Sequence, residues 1–417
     1  MAPSFNFDSA SSENGAEIFP SMLGPEYYGF DHITWYVGNA KQAASYFITR
    51  LGFNPIAYSG PETGSRSLAS YVVTNGSAIF VFKSPICDKI IEISNGTNDN
   101  PELSKLEKQV LTNIHEHLAN HGDGVKDIAF RINGHVKATW DKAVIRGAVS
   151  VIEPMSISGQ DPGSGKVELA TIKSYGDTTH TLINRDNFTG CFMPGYVPVD
   201  EEDPINEYLP SVELLEIDHC VGNQPWNGLD KAVKFYEECL DFHRYWTVDD
   251  STMCSEYSAM RSVVVASPNE VIKMPLNEPA AGKKKSQIEE FVDYYNGSGV
   301  QHIALRTNDI ITVVTNLRKR GVQFLSVPAS YYDSIRTRLA GSNLVVNESI
   351  DALQALDILI DFDEQGYLLQ IFTKHVVDRP TVFLEVIQRN NFDGFGAGNF
   401  KSLFEAFERE QGVRGNL

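Results

Sequence analysis

The hydrophobic pattern near the C-terminal end of the chain predicts two strands joined by a loop. Leu368–Phe372 and Val382–Ile387 are apolar runs of strand length, and the residues between them include Asp and Pro, which favour turns. Side chains two residues apart on a strand point to the same face, so Phe383 and Glu385 face one way together. A buried carboxylate costs free energy unless it is paired or bound to a metal. A lone glutamate in a strand usually points to solvent, so the role of Glu385 depends on the rest of the chain.

The same order of strand, turn and helix occurs twice in the chain. In each copy, Asp-His opens a short apolar strand, a Gly-Asn turn follows, and apolar residues at helical spacing lead to a Leu and then a Phe. The matched segments are Phe30–Phe53 with Ile217–Phe242, Gly122–Ile132 with Gly297–Thr307, and Thr179–Phe188 with Phe383–Phe392. The period is far longer than that of a solenoid repeat, so it indicates duplicated domains.

Each copy is predicted to contain two submodules, and four paired strands per submodule would make an eight-stranded open barrel around a cavity. The predicted fold class is therefore α+β, with two duplicated open-barrel domains of βαβββ modules. The C-terminal barrel is expected to be catalytic and to be closed by a C-terminal helix. The predicted boundaries are 1–28 for an N-terminal extension, 29–196 for the first barrel, 197–210 for a linker rich in Pro and acidic residues, and 211–417 for the second barrel.

The two copies differ in their candidate metal ligands. At three matched positions the second copy has His219, His302 and Glu385. The corresponding residues of the first copy are His32, Asp127 and Thr181. Two imidazoles and one carboxylate on strands that face one cavity are the ligand set of a mononuclear non-haem Fe(II) site, which leaves positions open for substrate and O2. Threonine binds divalent metals poorly, so the first copy is predicted to be a structural domain without a metal.

Composition and charge limit the possible partners. The chain has 417 residues, of which 42% are hydrophobic and 21% charged, as in an ordinary globular protein. Its formal net charge of -19 argues against nucleic acid or an anionic membrane as a partner, although a local site can still bind an anionic substrate. The five cysteines form no CxxC pair, no run of about 18 apolar residues occurs, and the N-terminus has neither signal-peptide nor transit-peptide character. A soluble cytoplasmic protein is therefore expected.

Three further motifs do not indicate a nucleotide site or a second metal site. Gly394–Phe400 lacks the Gly-x-Gly-x-x-Gly spacing of a dinucleotide fingerprint and is expected to be a hinge before the terminal helix. Gly163–Lys166 lacks the Ser or Thr of a phosphate loop, so a plain turn is expected. The two imidazoles of His115–His117 are two residues apart, and such side chains do not face each other on a helix.

Six long segments are specific enough to indicate a family: VGNAKQAASYF, MPLNEPAAGKKKSQIEEFVDYYNGSGVQHIAL, FLSVPASYY, GYLLQIFTK, DRPTVFLEVIQR and GFGAGNFKSLFEAFEREQGVRGNL. They resemble the 4-hydroxyphenylpyruvate dioxygenase family in its eukaryotic form, within the vicinal-oxygen-chelate superfamily. The resemblance covers Gly29–Leu417. It implies an Fe(II) enzyme of tyrosine catabolism that converts 4-hydroxyphenylpyruvate and O2 to homogentisate and CO2, and it implies a homodimer.

The resemblance also assigns roles to individual residues. It places the iron ligands at His219, His302 and Glu385, the polar catalytic groups at Ser262, Asn277, Gln287, Gln301 and Gln370, and the substrate-binding residues at Phe372, Phe383, Asn399, Phe400 and Phe404. Phe383 and Phe400 are suited to sandwich the aromatic ring of the substrate, and the neutral amides are suited to hydrogen-bond its phenol. The helix around Phe404 resembles a gate over the cavity, and Gln287 is placed in a Lys-rich loop.

One residue departs from the family pattern. His375 lies in the segment FTKHVVDRP, where the family usually has Pro. The predicted turn lies outside the pocket motifs, so we expect a changed loop and unchanged chemistry. A second ligand set that includes His375 is the less favoured alternative.

Three other functions fit parts of the pattern. Hydroxymandelate synthase uses the same substrate and iron but hydroxylates the benzylic carbon; the aromatic lining and the C-terminal motif favour the dioxygenase. A non-catalytic binding protein of the same duplicated fold would have lost a ligand in both copies, whereas the second copy keeps all three. A zinc or nickel isomerase of the glyoxalase type would draw ligands from both modules or across a dimer, which Asp127 and Thr181 disfavour.

Overall fold

The computed structural model of the chain describes residues 27–87, 101–159, 163–199, 202–248 and 259–416. Most of the predicted N-terminal extension, 1–28, and residues 200–201 of the predicted linker lie outside these ranges. Among the described helices, none has the length and the apolar character that a membrane crossing requires.

The first copy forms a mixed sheet with helices packed against it. Its strands are β1 (Tyr27–Tyr36), β2 (Asn54–Ser59), β3 (Leu68–Asn75), β4 (Ala78–Pro85), β5 (Gly124–Ile132), β6 (Ser150–Ser158), β7 (Lys166–Lys173), β8 (Thr179–Asn184) and β9 (Val197–Pro198). Its helices are α1 (Ala40–Leu51), α2 (Pro101–His121) and α3 (Val136–Ile145). The strand order is β6-β7-β8-β5-β1-β4-β3-β2-β9. Strand β9 comes from the segment predicted as the start of the linker and pairs with β2.

The second copy forms a sheet of its own. Its strands are β10 (Glu216–Asn223), β11 (His243–Val248), β12 (Ala259–Ala266), β13 (Lys273–Ala280), β14 (Gly299–Arg306), β15 (Leu359–Phe362), β16 (Tyr367–Phe372) and β17 (Phe383–Asn390). Its helices are α4 (Leu229–Leu240), α5 (Gln287–Tyr295), α6 (Ile310–Lys319), α7 (Ala329–Ala340), α8 (Ile350–Ala355) and α9 (Phe400–Arg414). The strand order is β11-β12-β13-β10-β14-β17-β16-β15.

The two sheets have the same topology, which confirms the predicted duplication. Strands β10 to β17 take the places of β1 to β8 in the first sheet. In each copy a central antiparallel pair, β1 with β5 or β10 with β14, joins two submodules. Each central strand also pairs in parallel with the last strand of its own submodule. The result is two half-barrels in an α+β fold, with α9 at the C-terminal end as predicted.

The repeated helix of each first submodule is amphipathic, as its sequence predicts. Helix α1 begins after Asn39, whose side chain accepts a hydrogen bond from the main-chain N–H of Gln42 at 3.1 Å. It ends at Gly52, whose φ of 70° favours glycine at a C-terminal cap. Phe47 and Leu51 are buried against the sheet. The matching face of α4 is buried in the same way.

A buried arginine joins the two copies. Arg320, which follows α6, donates from Nη1 to the main-chain oxygens of Ile48 at 3.1 Å and Thr49 at 3.0 Å. It also donates from Nε to the main-chain oxygen of Pro210 at 2.6 Å. Carbonyls in the last turn of a helix lack the main-chain donors of a following turn, so the guanidinium supplies donors at the end of α1, where Ile48 also accepts from the N–H of Gly52 at 3.2 Å. One hydrophobic core runs through both copies, and this packing holds the second half-barrel against the first.

Candidate metal centre

Three neighbouring strands of the second sheet bring the predicted ligands together. In the antiparallel pair β10–β14, His219 lies opposite Ala304. In the parallel pair β14–β17, Ala304 lies opposite Glu385. His302 precedes Ala304 by two residues on β14, and side chains two apart share a face. The register therefore projects His219, His302 and Glu385 to the same side of the sheet.

The ligand atoms of these side chains converge. Nε2 of His219 and Nε2 of His302 each lie 3.2 Å from Oε2 of Glu385. One ligand atom from each residue lies within 4.8 Å of the other two, and no other group of His, Cys, Asp or Glu within the described ranges has this arrangement. Burial favours the neutral acid, but the two imidazoles lower the pKa of Glu385, so the carboxylate is ionised. Only this residue of the trio supplies a negative charge.

The second oxygen of this carboxylate supports metal binding. Oε1 of Glu385 is buried and has no hydrogen-bond partner among the described residues. Buried polar atoms are nearly always paired, so such an atom calls for a ligand. An unpaired carboxylate oxygen beside two imidazole nitrogens fits a divalent cation with nitrogen and oxygen donors.

A carboxylate and a guanidinium orient the ring of His219. Nδ1 of His219 donates to Oδ1 of Asp218 at 2.7 Å, and Arg389 donates to both oxygens of Asp218 from Nε and Nη2, at 2.8 Å each. Burial alone would raise the pKa of Asp218, but the hydrogen bonds and charges of Arg389 and His219 hold that pKa well below its usual range. The ionised carboxylate fixes the proton of His219 on Nδ1 and leaves Nε2 available to a metal.

His302 is oriented by amides instead of a carboxylate. Its Nδ1 lies 3.0 Å from Oε1 of Gln301, and Nε2 of Gln301 donates to Oε1 of Gln287 at 2.6 Å. The amide oxygen can only accept, so His302 also carries its proton on Nδ1 and presents Nε2. Gln287 was predicted to lie in a loop, but it is the first residue of α5, directly after the N-cap Ser286. The lysines before Ser286 are typical of an exposed loop, so the sequence did not indicate where this helix begins.

The first copy keeps the groups that orient the first histidine but has no counterpart of Glu385. Nδ1 of His32 lies 2.7 Å from Oδ1 of Asp31, and Nε of Arg185 donates to Oδ2 of Asp31 at 2.9 Å. The place of Glu385 is taken by Thr181, whose hydroxyl lies 2.9 Å from the hydroxyl of Thr171. The two hydroxyls satisfy each other and offer no anionic ligand.

The three ligands form one wall of a cavity in the second half-barrel. The other predicted site residues that line it are Ser262, Asn277, Gln287, Gln301, Gln370, Phe372, Phe383 and Phe400. The ring of Phe383 stacks on that of His302, with centroids 4.9 Å apart and planes 22° apart. The ring of Phe372 lies edge-on to His302 at 5.8 Å. The structure therefore joins amide groups and aromatic rings to the candidate metal centre.

Two predicted substrate-binding residues lie outside the cavity lining. Asn399 is fully buried, and its Oδ1 accepts a hydrogen bond from the hydroxyl of Tyr331 at 2.7 Å. Phe404 is buried in a small cluster with Met260 and Ile288. Phe404 thus packs behind Met260, which lines the cavity, whereas Asn399 faces Tyr331.

Several lining residues were not predicted, and Phe395 is the clearest of them. Its ring lies 5.2 Å from that of His219 and 6.0 Å from that of Trp246, which also lines the cavity. The guanidinium of Arg389 lies 5.3 Å from the centroid of Phe395. The other unpredicted lining residues are Val221, Met260, Val264, Pro275 and Leu403.

His375 does not line the cavity, in keeping with its predicted place outside the pocket motifs, but its ring packs directly behind a lining residue. The residue follows β16, and its ring centroid lies 6.0 Å from that of Phe383 and 6.2 Å from that of Phe407 on α9. The loop returns behind Phe383 before β17 begins, which the linear order of the turn residues does not reveal. His375 is not part of the metal-ligating cluster.

Comparison with known proteins first defines the class. A family model described as the Glyoxalase/Bleomycin resistance protein/Dioxygenase superfamily matches residues 216–371. A solved triple mutant of 4-hydroxymandelate synthase from Streptomyces coelicolor is similar at a TM-score of 0.73 and 29% identity, over 93% of this chain and 100% of that chain. The duplicated half-barrels and the His-His-Glu site agree with a dioxygenase of this superfamily.

Curated relatives identify the family within this superfamily. A protein of Aspergillus fumigatus named "Probable 4-hydroxyphenylpyruvate dioxygenase 2" is 65% identical over 400 residues, which are 96% of this chain and 98% of that protein. The 4-hydroxyphenylpyruvate dioxygenase of Yarrowia lipolytica is 53% identical over the full length of both chains, and that of Xenopus tropicalis is 50% identical over 94% of this chain and 93% of its own. The chain belongs to the 4-hydroxyphenylpyruvate dioxygenase family of enzymes.

Proposed function

We propose that the chain converts 4-hydroxyphenylpyruvate and O2 to homogentisate and CO2 in tyrosine catabolism, with Fe(II) as its cofactor. The observation that carries the proposal is the buried cluster of His219, His302 and Glu385 beside a cavity with aromatic walls. Relatives named for this reaction align with almost the whole chain. The site and the family therefore support the same chemistry.

Fe(II) suits the donor set of this cluster. Two imidazole nitrogens and one carboxylate oxygen on one face leave positions open for substrate and O2. When bound, Fe(II) supplies the redox chemistry of the oxidative decarboxylation and the ring hydroxylation with its side-chain migration. The side chains of the protein supply the orientation of the ligands, the position of the aromatic ring and the exclusion of water.

The charge of the site fits an anionic substrate. Glu385 is the one anion of the ligand set, so the site keeps a net positive charge when it holds a divalent cation. The carboxylate of a 2-oxo acid is therefore attracted locally, although the formal net charge of the chain is -19. The lining amides and the hydroxyl of Ser262 add no opposing charge.

Two phenylalanines are proposed to hold the substrate ring. Phe383 stacks on His302, so its ring is fixed beside a metal ligand. Phe400, the first residue of α9, also lines the cavity. An aryl ring between them would lie close to the metal, and such positioning lowers the barrier by limiting the motion of the reactants.

Neutral polar groups are proposed to bind the phenol and the keto acid. Ser262 and Asn277 lie opposite each other in the β12–β13 ladder, and both line the cavity. Gln370 lines it from β16. Gln287 acts indirectly, because its Oε1 accepts a hydrogen bond from Gln301 and so orients the amide of that residue.

Product analysis with the Fe(II)-loaded protein tests this proposal. Incubation with 4-hydroxyphenylpyruvate in air should give homogentisate, identified by mass and retention time, in an amount equal to the substrate consumed. Formation of 4-hydroxymandelate would instead assign a benzylic hydroxylase. Substrate binding without turnover would assign a binding protein.

The ligand assignment has a matched control within the duplicated fold. Glu385→Ala removes the one anionic ligand, so the purified protein should lose both iron and turnover. Thr181→Ala changes the corresponding residue of the first copy and should leave iron content and turnover unchanged. Full turnover with stoichiometric iron in Glu385→Ala would contradict the assignment.

The assembly and location are further parts of the proposal. We expect a homodimer in the cytoplasm that acts on small molecules and binds neither nucleic acid nor membrane, in keeping with the net charge of -19. The second half-barrel carries the catalytic site, and the first serves as its structural partner. Light scattering on the purified protein would measure the mass of the assembly.

A further inference from the structure

His375 connects the cavity wall to the C-terminal helix without touching the metal ligands. Its imidazole contacts Phe383 edge-on, at 76° between the planes, and it lies at 45° to the ring of Phe407 on α9. Phe383 and Phe407 also contact each other, with centroids 5.0 Å apart. The three rings form a compact aromatic cluster behind the cavity.

Phe383 is the member of this cluster that lines the cavity. One side of Phe383 meets the ring of His302, at 4.9 Å, and faces the cavity. Another side meets the rings of His375 and Phe407, neither of which lines the cavity. The aromatic ring that we propose as a substrate contact is therefore supported from behind by a residue of the β16–β17 loop.

Burial keeps the ring of His375 uncharged at neutral pH. Together with the positive charges of Arg414 and Lys374 it lowers the pKa of His375 to about 4, against the opposing charge of Glu410. Lys374 in turn pairs with Glu410 of α9 at 2.9 Å. The ion pair fastens the loop to the helix, while the neutral imidazole packs as an aromatic group between them.

We propose that His375 is a positioning residue whose ring sets the orientation of Phe383 and docks α9 through Phe407. The role of His375 rests on the proposed function, because Phe383 is the side chain that we expect to hold the substrate ring beside the metal. A ring at this position is the requirement. A smaller side chain would leave space behind Phe383 and let its ring turn away from His302.

A pair of variants separates the ring from other properties of the residue. His375→Ala removes the ring, whereas His375→Phe keeps an aromatic ring at the same place without the imidazole nitrogens. His135→Ala, at an exposed position of the first copy, is the matched histidine control.

The variants should differ in kinetics but not in metal content. In His375→Ala we expect kcat to fall about tenfold and less homogentisate per O2 consumed, since a small misplacement of a reacting group lowers rates strongly. His375→Phe, which restores an aromatic ring, and His135→Ala should remain within about twofold of the parent protein on the same scale. Amide hydrogen exchange should rise in residues 400–414 in His375→Ala only.

The outcomes distinguish this proposal from the proposed function. If the parent protein makes no homogentisate, the function itself is wrong. If the parent makes it and His375→Ala has the same kcat and the same yield per O2, the positioning role is wrong. A loss of activity in His375→Ala that matches a loss of iron or of folded protein would also overturn the proposal, because it would indicate a purely structural role.

Discussion

The proton positions on the two imidazole ligands depend on side chains that do not touch the metal. Asp218 is ionised by its contact with Arg389 and accepts the Nδ1 proton of His219. Gln301 does the same for His302 as a neutral acceptor. One ligand is thus oriented by a charge and the other by a dipole, so the site carries no excess negative charge that would repel an anionic substrate.

The duplicated fold allows a controlled test of the charged partner. Asp218→Asn weakens the pairing with Arg389 and lets the amide N–H compete with Nδ1 of His219, so iron affinity should fall about 10- to 100-fold. Asp31→Asn makes the same change beside His32 and Arg185 of the first copy. Competition with a chelator measures the affinity of each variant.

The thermal midpoints of the two variants should fall alike, because each leaves an arginine without its carboxylate. Only the variant at Asp218 should lose iron affinity. An equal effect of both variants on affinity would contradict the orienting role of Asp218.

Among the secondary-structure elements, the connection from β17 to α9 controls how closely the C-terminal segment approaches the cavity. Gly396 has a φ of 74°, and a Cβ at this position would overlap the amide of Gln370. The main chain then forms a short turn at Ala397–Asn399 and enters α9 at Phe400. In this structure the segment predicted as a hinge places Phe400 in the cavity lining.

Gly396→Ala tests this close approach. The left-handed backbone should cost about 1–2 kcal/mol of folding free energy, and displacement of Gln370 should lower kcat as well. Gly134→Ala is the control, since Gly134 has a φ of 79° and a Cβ added there would meet no atom within 4 Å. Denaturant unfolding and steady-state kinetics measure the two effects. Unchanged kcat in Gly396→Ala would contradict the role of this contact.

For the molecule as a whole, buried neutral histidines link stability to pH. Burial lowers the pKa of His117 to about 3 and that of His180 to about 4. His180 of the first copy also lies 2.7 Å, through Nε2, from the hydroxyl of Tyr236 in the second copy. Both pKa values lie below that of an unfolded histidine, about 6.5, so the unfolded chain binds more protons below that pH.

The free energy of unfolding should therefore fall as pH is lowered from 6.5 toward 4. For His180 the expected contribution is about 1 kcal/mol per pH unit. His180→Phe keeps an aromatic ring against Phe130 but cannot bind a proton, so its stability should change less over this range. Denaturant unfolding at several pH values measures both slopes. Identical slopes in the parent protein and the variant would contradict this account.

Local and repeated features of the sequence predicted most of the fold. Paired segments such as Phe30–Phe53 and Ile217–Phe242 gave the duplication, because each carries its own strand, turn and helix. The orienting pair of Asp218 and Arg389 was not predicted, since the partners lie 171 residues apart and neither forms a motif alone. The matching pair of the first copy, Asp31 and Arg185, could have indicated this contact, because both residues recur at the same places in the two copies.

Side-chain direction limited the prediction of the pocket. Phe395 was missed because it lies in a glycine-rich segment without strand or helix periodicity, although Phe192 contacts His32 in the same way, at 5.1 Å. Asn399 lies next to Phe400 in sequence, but the turn before α9 directs its side chain to Tyr331 instead of the cavity. Adjacent residues of a turn diverge, so a motif match does not fix which of them faces the substrate.

The central claim is that one Fe(II) is held by three side chains of the second half-barrel. Anomalous diffraction at the iron edge, from crystals of the iron-loaded protein, tests it most directly. The account predicts a single strong peak bonded to Nε2 of His219, Nε2 of His302 and a carboxylate oxygen of Glu385. A peak beside His32 in the first half-barrel, or an iron atom bound without these three residues, would contradict it.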